Sequence, residues 1–277
     1  MTHSGWLDGP RMVVDNWLAR QDSMRNVVRQ ELAARFVDEH LPSRDRPLRV
    51  LDAGCGQGTQ ALRLAAAGHL VDGVDADDRM LAAFRSALDK LDPVVRGRIR
   101  LRSGRVENLP EELERSSYDV VLCHGVIMYV PDPVPVISAL TPMLADHGML
   151  SLIARNQPSI ALRAGHRGRW SEALAALRGD VTYTNELSAN ARADTVEGLR
   201  SQLVSAGLTV HAWYGIRVLS DTATLEEDPP PPESPELADL LDAEELAART
   251  DPYRSIAPLV QLIARRTPQA AKSDTTS

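Results

Sequence analysis

Leu48 to Thr59 reads LRVLDAGCGQGT, and the fold follows from it. Leu48, Val50 and Leu51 form a short apolar run of the length a buried parallel strand needs, and Asp52 and Ala53 lead into glycines at 54, 56 and 58. Gln60 to Gly68 continues with apolar residues at Ala61, Leu62, Leu64 and Ala65 and a glycine stop. Strand, glycine turn and helix therefore come in immediate succession. Glycines let the backbone turn sharply and approach a ligand closely, and the free N–H groups of a helix start favour an anion. The same turn also arises for steric reasons alone, so the glycines by themselves leave both readings open.

The next apolar run, His69 to Asp75 (HLVDGVD), reads as a second strand. It ends on Asp75 about twenty residues beyond the glycines, where an acidic side chain can grip the two hydroxyls of a ribose. Val50 to Gly58, VLDAGCGQG, then fills without a gap the first motif of the class I S-adenosylmethionine-dependent methyltransferases, which the chain resembles. Dinucleotide dehydrogenases space their glycines more widely and lack an aspartate before the turn, so Asp52 favours the methyltransferase pattern.

That resemblance implies an α/β fold, a doubly wound, mostly parallel seven-stranded Rossmann-like sheet with a helical cap. It also implies S-adenosyl-L-methionine as cofactor. On this pattern residues 1–47 form an N-terminal arm and a helix over the cofactor, 48–154 the cofactor-binding core and 155–194 a substrate cap. Residues 195–266 complete the core, with a proline-rich insertion at 220–236 (EEDPPPPESPE at its end) expected to be an exposed, stiff excursion, and 267–277 form a disordered tail.

Composition narrows the class. A chain of 277 residues with 43% hydrophobic content can bury a full α/β core. Its net charge of −7 gives no general attraction to a phosphate backbone, so a nucleic-acid partner would need a local basic face. Cys55 and Cys123 are the two cysteines, both at apolar strand ends, which suits unpaired thiols in a cytoplasmic protein. No metal-ligand cluster and no apolar run of membrane-spanning length is visible, so neither a metal nor a membrane is expected.

Along the chain, helical spacing runs over Met12 to Leu41, with Arg20, Arg25, Arg29 and Arg35 on it, and over Met80 to Leu91. Strands are expected at Arg98–Arg102, Tyr118–Cys123, Met149–Ala154, Leu208–Leu219 (with Arg217 inside it) and Pro258–Arg266, the last two as the antiparallel pair. Asp132 and Pro133 start a helix expected to run through Leu144. Asn156 to Asp194 shows no good strand but is rich in arginine, with Trp170 and Tyr183. Such content suits a cap for an anionic or aromatic acceptor, or a solvated helical lid.

LCHGVIMYVPDP, YGIRVLSD and DPYRSIAPLVQLIARR extend the likeness to the bacterial tRNA 5-carboxymethoxyuridine methyltransferases, whose lysine-rich run after the fifth strand is here replaced by LRGDVTYTNEL. The likeness implies cofactor contacts from Arg25, Gly54, Cys55, Asp75 and His124, and from Arg105 and Val106 through their backbone, with Asp52, Gly56, Gly58 and Ala76 completing the wall. Related enzymes often carry an acid where Arg105 stands. Arg155 and Arg217 are the candidates for orienting an anionic acceptor, with Tyr129, Asn156 and Tyr253 beside them. A carboxylate acceptor is ionised at neutral pH and needs no general base. The expected activity is O-methylation of a carboxylate, on a small molecule or on a tRNA uridine. The alternative from another class is a cofactor-binding protein without turnover.

Overall fold

Alternating sides decide how the first strand sits. In the computed structural model, which describes residues 12–185, 189–223 and 227–266, β1 (Arg49–Ala53) sends Val50 into one apolar layer and Leu51 into the other, both with no exposed surface. Ahead of it lie α1 (Met12–Leu18) and α2 (Met24–His40), the expected single helix interrupted at residues 19–23. After it come α3 (Thr59–Ala66), β2 (Leu70–Asp75), α4 (Asp78–Leu88), a single turn α5 (Pro93–Arg96), β3 (Ile99–Ser103), β4 (Tyr118–His124) and α6 (Val134–Leu140).

The sixth helix stops well before Leu144. Pro142 lies in a 3-10 turn over Thr141–Met143, and β5 starts at Leu144 and runs to Arg155. Residues 156–194, expected to hold no strand, contain α7 (Pro158–His166), α8 (Trp170–Leu177) and a small antiparallel hairpin of β6 (Thr182–Thr184) and β7 (Asn190–Arg192). Strands of three residues are too short to show alternation in sequence. α9 (Val196–Ser205), β8 (Leu208–Ile216), α10 (Pro235–Arg249) and β9 (Leu259–Arg266) complete the chain.

The seven long strands order as β3-β2-β1-β4-β5-β9-β8, parallel except for β9, which runs antiparallel to both neighbours. This is the expected doubly wound sheet. The chain reverses direction of winding between β1 and β4, so their carboxyl ends open a crevice, the place where such sheets bind ligands. One layer packs Val28, Leu32 and Phe36 of α2 with Leu64, Leu81 and Phe84; the other packs Ile137 and Leu140 of α6 with Leu199 and Leu203 of α9. Each such fully buried side chain contributes about 1.5–3 kcal/mol.

Two expectations about the C-terminal part are corrected. Arg217 is not inside a strand: β8 ends at Ile216, and Arg217 takes a left-handed φ of 64°, which breaks the ladder. The stretch from Ser220 to Glu236 is not wholly an exposed excursion. Ser220 is buried, Asp221 is largely enclosed, the Glu227 carbonyl accepts from Met24 N–H at 2.9 Å, and α10 begins at Pro235. The N-terminal arm up to residue 11 and the tail 267–277 lie outside the described residues.

Candidate active site

The three glycines of the first turn do different work. Gly54, Gly56 and Gly58 all have positive φ, of 80°, 56° and 90°. A Cβ on Gly54 would overlap Val126 and one on Gly58 would overlap the Phe84 ring, whereas one on Gly56 would meet only the Met80 methyl, at 3.1 Å. Gly54 and Gly58 are therefore small for the sake of packing, and Gly58 is absent from the cavity wall, contrary to its expected ligand contact. Gly56 faces the cavity. The Val74 carbonyl accepts from Gly54 and Cys55 N–H at 2.8 and 3.0 Å, which ties the turn to β2.

Asp75 sits where the sequence places it, at the end of β2. Its Oδ2 accepts from Gly56 N–H at 2.8 Å and its Oδ1 from Asp77 N–H at 2.9 Å, so glycine turn and carboxylate share one wall. Burial pushes the Asp75 carboxyl above its usual range, partly countered by those N–H donors. Asp52, buried beside it, is pushed up to about 7 by burial and by the Asp75 charge. Cys55 and Ala76 line the same wall, and burial raises the Cys55 thiol well above its ordinary value.

His124 ends β4 and also lines the cavity. Its Nε2 lies 2.8 Å from Ser151 Oγ, which in turn accepts from Gln261 Nε2 at 2.9 Å. Burial, with the Arg29 charge, lowers its pKa to about 3, so the ring is neutral and a poor base. Arg105 and Val106 line the opposite side, with Arg105 Nη2 3.1 Å from Glu107 Oε1. Glu107 is on the wall too, two residues past the position where an acid was missed, and its signal was the acidic residue inside VENLP.

The other end of the cavity is basic. Arg25 Nη2 donates to Asp221 Oδ1 at 3.1 Å, Arg217 Nη2 forms an ion pair with the same oxygen at 3.2 Å, and Arg163 Nη1 stands 3.8 Å from Asp221 Oδ2. Arg155, the last residue of β5 and 3% exposed, lies over the Tyr183 ring at 5.5 Å. Arg25, Arg155, Arg163 and Arg217 all reach the wall. The Nε atoms of Arg155 and Arg217 are buried with no hydrogen-bond partner in the protein. Burial lowers both pKa values, that of Arg217 to about 9, with the neighbouring arginines adding to the effect. One turn from Arg25 on α2, Arg29 reaches the same wall and stacks on Trp17 at 4.5 Å. Sequence periodicity showed the helix face, not that Asp221 and Arg163 would converge on it.

Two acceptor-side candidates are elsewhere. Asn156 is 1% exposed, and its Nδ2 donates to the carbonyls of Ser255 and Ala257 at 2.9 and 2.8 Å; it pins the cap to the start of β9 and is off the cavity wall. Tyr253 is half exposed and also off the wall. Tyr129 is on it, its hydroxyl accepting from Asn185 Nδ2 at 3.1 Å. Among the described residues no His, Cys, Asp or Glu cluster is arranged to hold a metal, and no helix is long and apolar enough to cross a membrane.

The cavity opens at the carboxyl ends of β1, β2 and β4 of a doubly wound sheet, where such sheets bind ligands. Residues 50–148 match the family model of a methyltransferase domain. The matched stretch runs from β1 into β5 and so takes in the glycine turn, Asp75 and His124. The chain is 27% identical over 219 residues to the tRNA 5-carboxymethoxyuridine methyltransferase of Escherichia coli K12, covering 79% of this chain and 80% of that protein. It is 33% identical over 131 residues to the ubiquinone biosynthesis O-methyltransferase of Marinobacter nauticus, covering 46% of this chain and 52% of that protein, so it spans about half the length of such relatives. Among solved structures, magnesium protoporphyrin IX methyltransferase from Synechocystis PCC 6803, with bound SAH, superposes with a TM-score of 0.58 at 18% identity, covering 91% of this chain and 94% of that one. At that identity the superposition speaks for the fold.

Proposed function

We propose that the protein transfers the methyl group of S-adenosylmethionine to a carboxylate oxygen of an anionic acceptor, giving a methyl ester. The observation that carries this reading is the buried arginine cluster, in which Arg155 and Arg217 each keep an Nε donor without a partner in the protein. Buried guanidinium donors are matched by carboxylate better than by any neutral group.

The walls fit the cofactor. Asp75 stands beside the glycine turn, able to accept from two ribose hydroxyls, and Gly56 leaves space where a side chain would intrude. Glu107, on the cavity wall beside Val106, is the side chain in this reading that would accept from the adenine amino group. Arg25 and Arg29 supply positive charge toward the methionine carboxylate. When bound, the cofactor supplies a methyl group already made electrophilic by its sulfonium.

Orientation is then the main task of this chain, since holding the acceptor oxygen in line with the methyl group supplies much of the rate. Arg155 and Arg217 fix the acceptor; Tyr129 and Tyr183 exclude water from its flank. No group at that end acts as a base. Burial raises the pKa of both tyrosines, and His124 is a neutral ring near neutral pH that takes up a second proton only weakly. A hydroxyl or amine acceptor would need such a base, and a carboxylate does not. A second reading of the acceptor, a carboxylate on a modified tRNA uridine rather than a small molecule, is supported by the likeness to the E. coli tRNA enzyme over four-fifths of both chains.

Incubation with methyl-labelled cofactor and either bulk tRNA or a metabolite extract tests both readings. Label is expected in a product that releases methanol in mild alkali, as a carboxyl methyl ester does. Label in an alkali-stable product, or unchanged turnover in both Arg155→Ala and Arg217→Ala, contradicts the carboxylate reading. Tight cofactor binding with no labelled product identifies a non-catalytic protein.

A further inference from the structure

We propose that Ser151 and Gln261 are positioning residues that fix His124 in its Nδ1–H form, and that this N–H, with the Arg29 guanidinium beside it, holds the carboxylate at the amino-acid end of S-adenosylmethionine. The nature of the methyl acceptor plays no part in it.

Three side chains from neighbouring strands form one chain of hydrogen bonds. His124 ends β4, Ser151 lies in β5 and Gln261 in β9, the last two with no exposed surface. Gln261 Nε2 donates to the Ala33 carbonyl of α2 at 3.3 Å and to Ser151 Oγ at 2.9 Å. The Ala33 contact decides which way the amide lies, because a reversed amide would set oxygen against oxygen. Ser151 Oγ therefore accepts from Gln261, and its own O–H must find an acceptor. Among the described residues the acceptor within reach is His124 Nε2, at 2.8 Å. A ring nitrogen that accepts carries no proton, so the imidazole proton is on Nδ1. The reverse tautomer would aim two donors at the Ser151 oxygen and leave a buried hydroxyl hydrogen unpaired. Burial and the Arg29 charge keep a second proton off the ring, with a pKa of about 3, so Nε2 stays an acceptor at neutral pH.

Nδ1 has no hydrogen-bond partner among the described residues, and the ring lines the cavity. What this donor meets is therefore a ligand. Arg29 lines the same cavity and forms no ion pair within 4 Å among the described residues, its cation lying over Trp17. It reaches the residue next to His124: a Cβ on Gly125 would stand 3.9 Å from Arg29 Nη1. An N–H donor and a cation together select an anionic oxygen.

Sheet order shows which end of the cofactor comes here. β3, β2, β1 and β4 lie side by side. Glu107 follows β3, Asp75 ends β2 and His124 ends β4. With adenine at the first and ribose at the second, the amino-acid end extends past the glycine turn to the third. Its carboxylate is the one anionic group the cofactor has.

Two ligands that share the nucleoside isolate that end: S-adenosylhomocysteine, which has the carboxylate, and 5′-methylthioadenosine, which lacks the amino-acid chain. In calorimetry on the full chain, His124→Asn, whose amide N–H can stand in for Nδ1–H, is expected to bind S-adenosylhomocysteine within threefold of the wild type. His124→Gln, whose amide reaches toward the Nε2 position instead, and Arg29→Gln are each expected to bind it tenfold or more weaker. All three are expected to bind 5′-methylthioadenosine within twofold of the wild type, which reports an intact fold. Nitrogen-15 NMR of the imidazoles, with His124→Asn assigning the signal, is expected to show His124 protonated on Nδ1 alone. Ser151→Ala is expected to shift it toward a mixture of both tautomers, which a hydroxyl that only fills space would not do. A proton on Nε2 in the wild type, which needs no variant to detect, overturns the proposal. So does an unchanged ring signature in Ser151→Ala, a His124→Gln protein that binds S-adenosylhomocysteine normally, or one that loses both ligands equally. Binding of neither ligand by the wild type overturns it together with the cofactor site.

Discussion

Arg217 and Asp221, four residues apart across a tight turn, pair at 3.2 Å, and the same Asp221 oxygen accepts from Arg25 at 3.1 Å. One carboxylate thereby joins the end of β8 to α2 and sets where the acceptor-side guanidiniums stand. Burial pushes the Asp221 carboxyl up, but Arg217, Arg163, Arg25 and Arg155 together pull it below its usual range.

A carboxyl held low in the native state adds stability above its unfolded pKa, and that stability is lost as pH falls through the native value. Asp221→Asn is therefore expected to lower unfolding free energy at pH 7 by about 3 kcal/mol, as for loss of one partner in a buried pair. The gap from the wild type narrows below about pH 4, where the wild-type carboxyl takes up its proton. Urea melts at several pH values measure both; identical midpoints at pH 7 would show that the pair contributes nothing.

Gly56 and Gly58 separate binding from packing. Gly58→Ala forces a Cβ into the Phe84 ring at a left-handed φ, and a loss of about 3 kcal/mol is expected from strain and overpacking together. Gly56→Ala meets only the flexible Met80 methyl, so the backbone penalty of about 1–2 kcal/mol is the main effect on stability. Its methyl group enters the cavity wall, and affinity for S-adenosylmethionine is expected to fall about tenfold or more, equivalent to about 1.4 kcal/mol. Melting curves read beside binding isotherms distinguish the two; a Gly56→Ala protein that binds the cofactor normally removes Gly56 from the contact surface.

The sheet was legible because its signals are local. VLDAGCGQG fixes strand, turn and helix within nine residues, and YDVVLC has the unbroken apolar run of a strand covered on both faces. The cofactor wall follows from it, since Asp75 and His124 lie at strand ends that a parallel sheet brings to one edge. The acceptor end was legible only in part. Arg155 and Arg217 were visible as strand-end arginines, whereas Asp221 is hidden at the start of a stretch whose prolines suggest exposure, and Arg163 looks like one more surface charge of the cap. Asn156 misled for the opposite reason: its position next to Arg155 is right for a ligand contact, but it lies just past the end of β5 and its amide is consumed by the carbonyls of Ser255 and Ala257 ahead of β9.

Glu244, on α10, shows how the loop carrying Arg217 and Asp221 is held. It has no exposed surface, and its carboxylate accepts from the N–H groups of Val218, Leu219 and Ser220 at 2.7, 3.1 and 2.6 Å. No substrate atom is within its role; it is a positioning residue. Glu244→Gln keeps the shape but replaces one acceptor oxygen by a donor facing N–H groups, so at least one bond is lost, each worth about 1.5–3 kcal/mol when charged. The acceptor KM is expected to rise and kcat to fall, each about tenfold, while the dissociation constant of the cofactor stays unchanged. Equal losses in cofactor and acceptor affinity would point to general destabilisation instead.

Asp52 links the cofactor site to pH. Burial, with the Asp75 charge, raises its pKa to about 7 in the folded protein, against 3.8 ordinarily, so the native state keeps a proton that the unfolded chain has lost. A raised carboxyl pKa gives stability that is complete below about pH 4 and declines as pH rises to about 7, beyond which it is constant. Asp52→Asn carries no such proton, and its melting temperature is expected to fall less than that of the wild type between pH 4 and pH 7, with the largest difference above pH 7. The same proton answers to the ligand, because positive charge brought to the cavity favours the ionised form. Binding of S-adenosylmethionine at pH 6.5 is expected to release a fraction of a proton, seen as a calorimetric heat that depends on the buffer's ionisation enthalpy. S-adenosylhomocysteine, which lacks the sulfonium charge, should release less, and Asp52→Asn should release almost none. Equal proton release by both ligands would separate Asp52 from the reacting end of the cofactor, and release that persists in Asp52→Asn would assign the proton to another group.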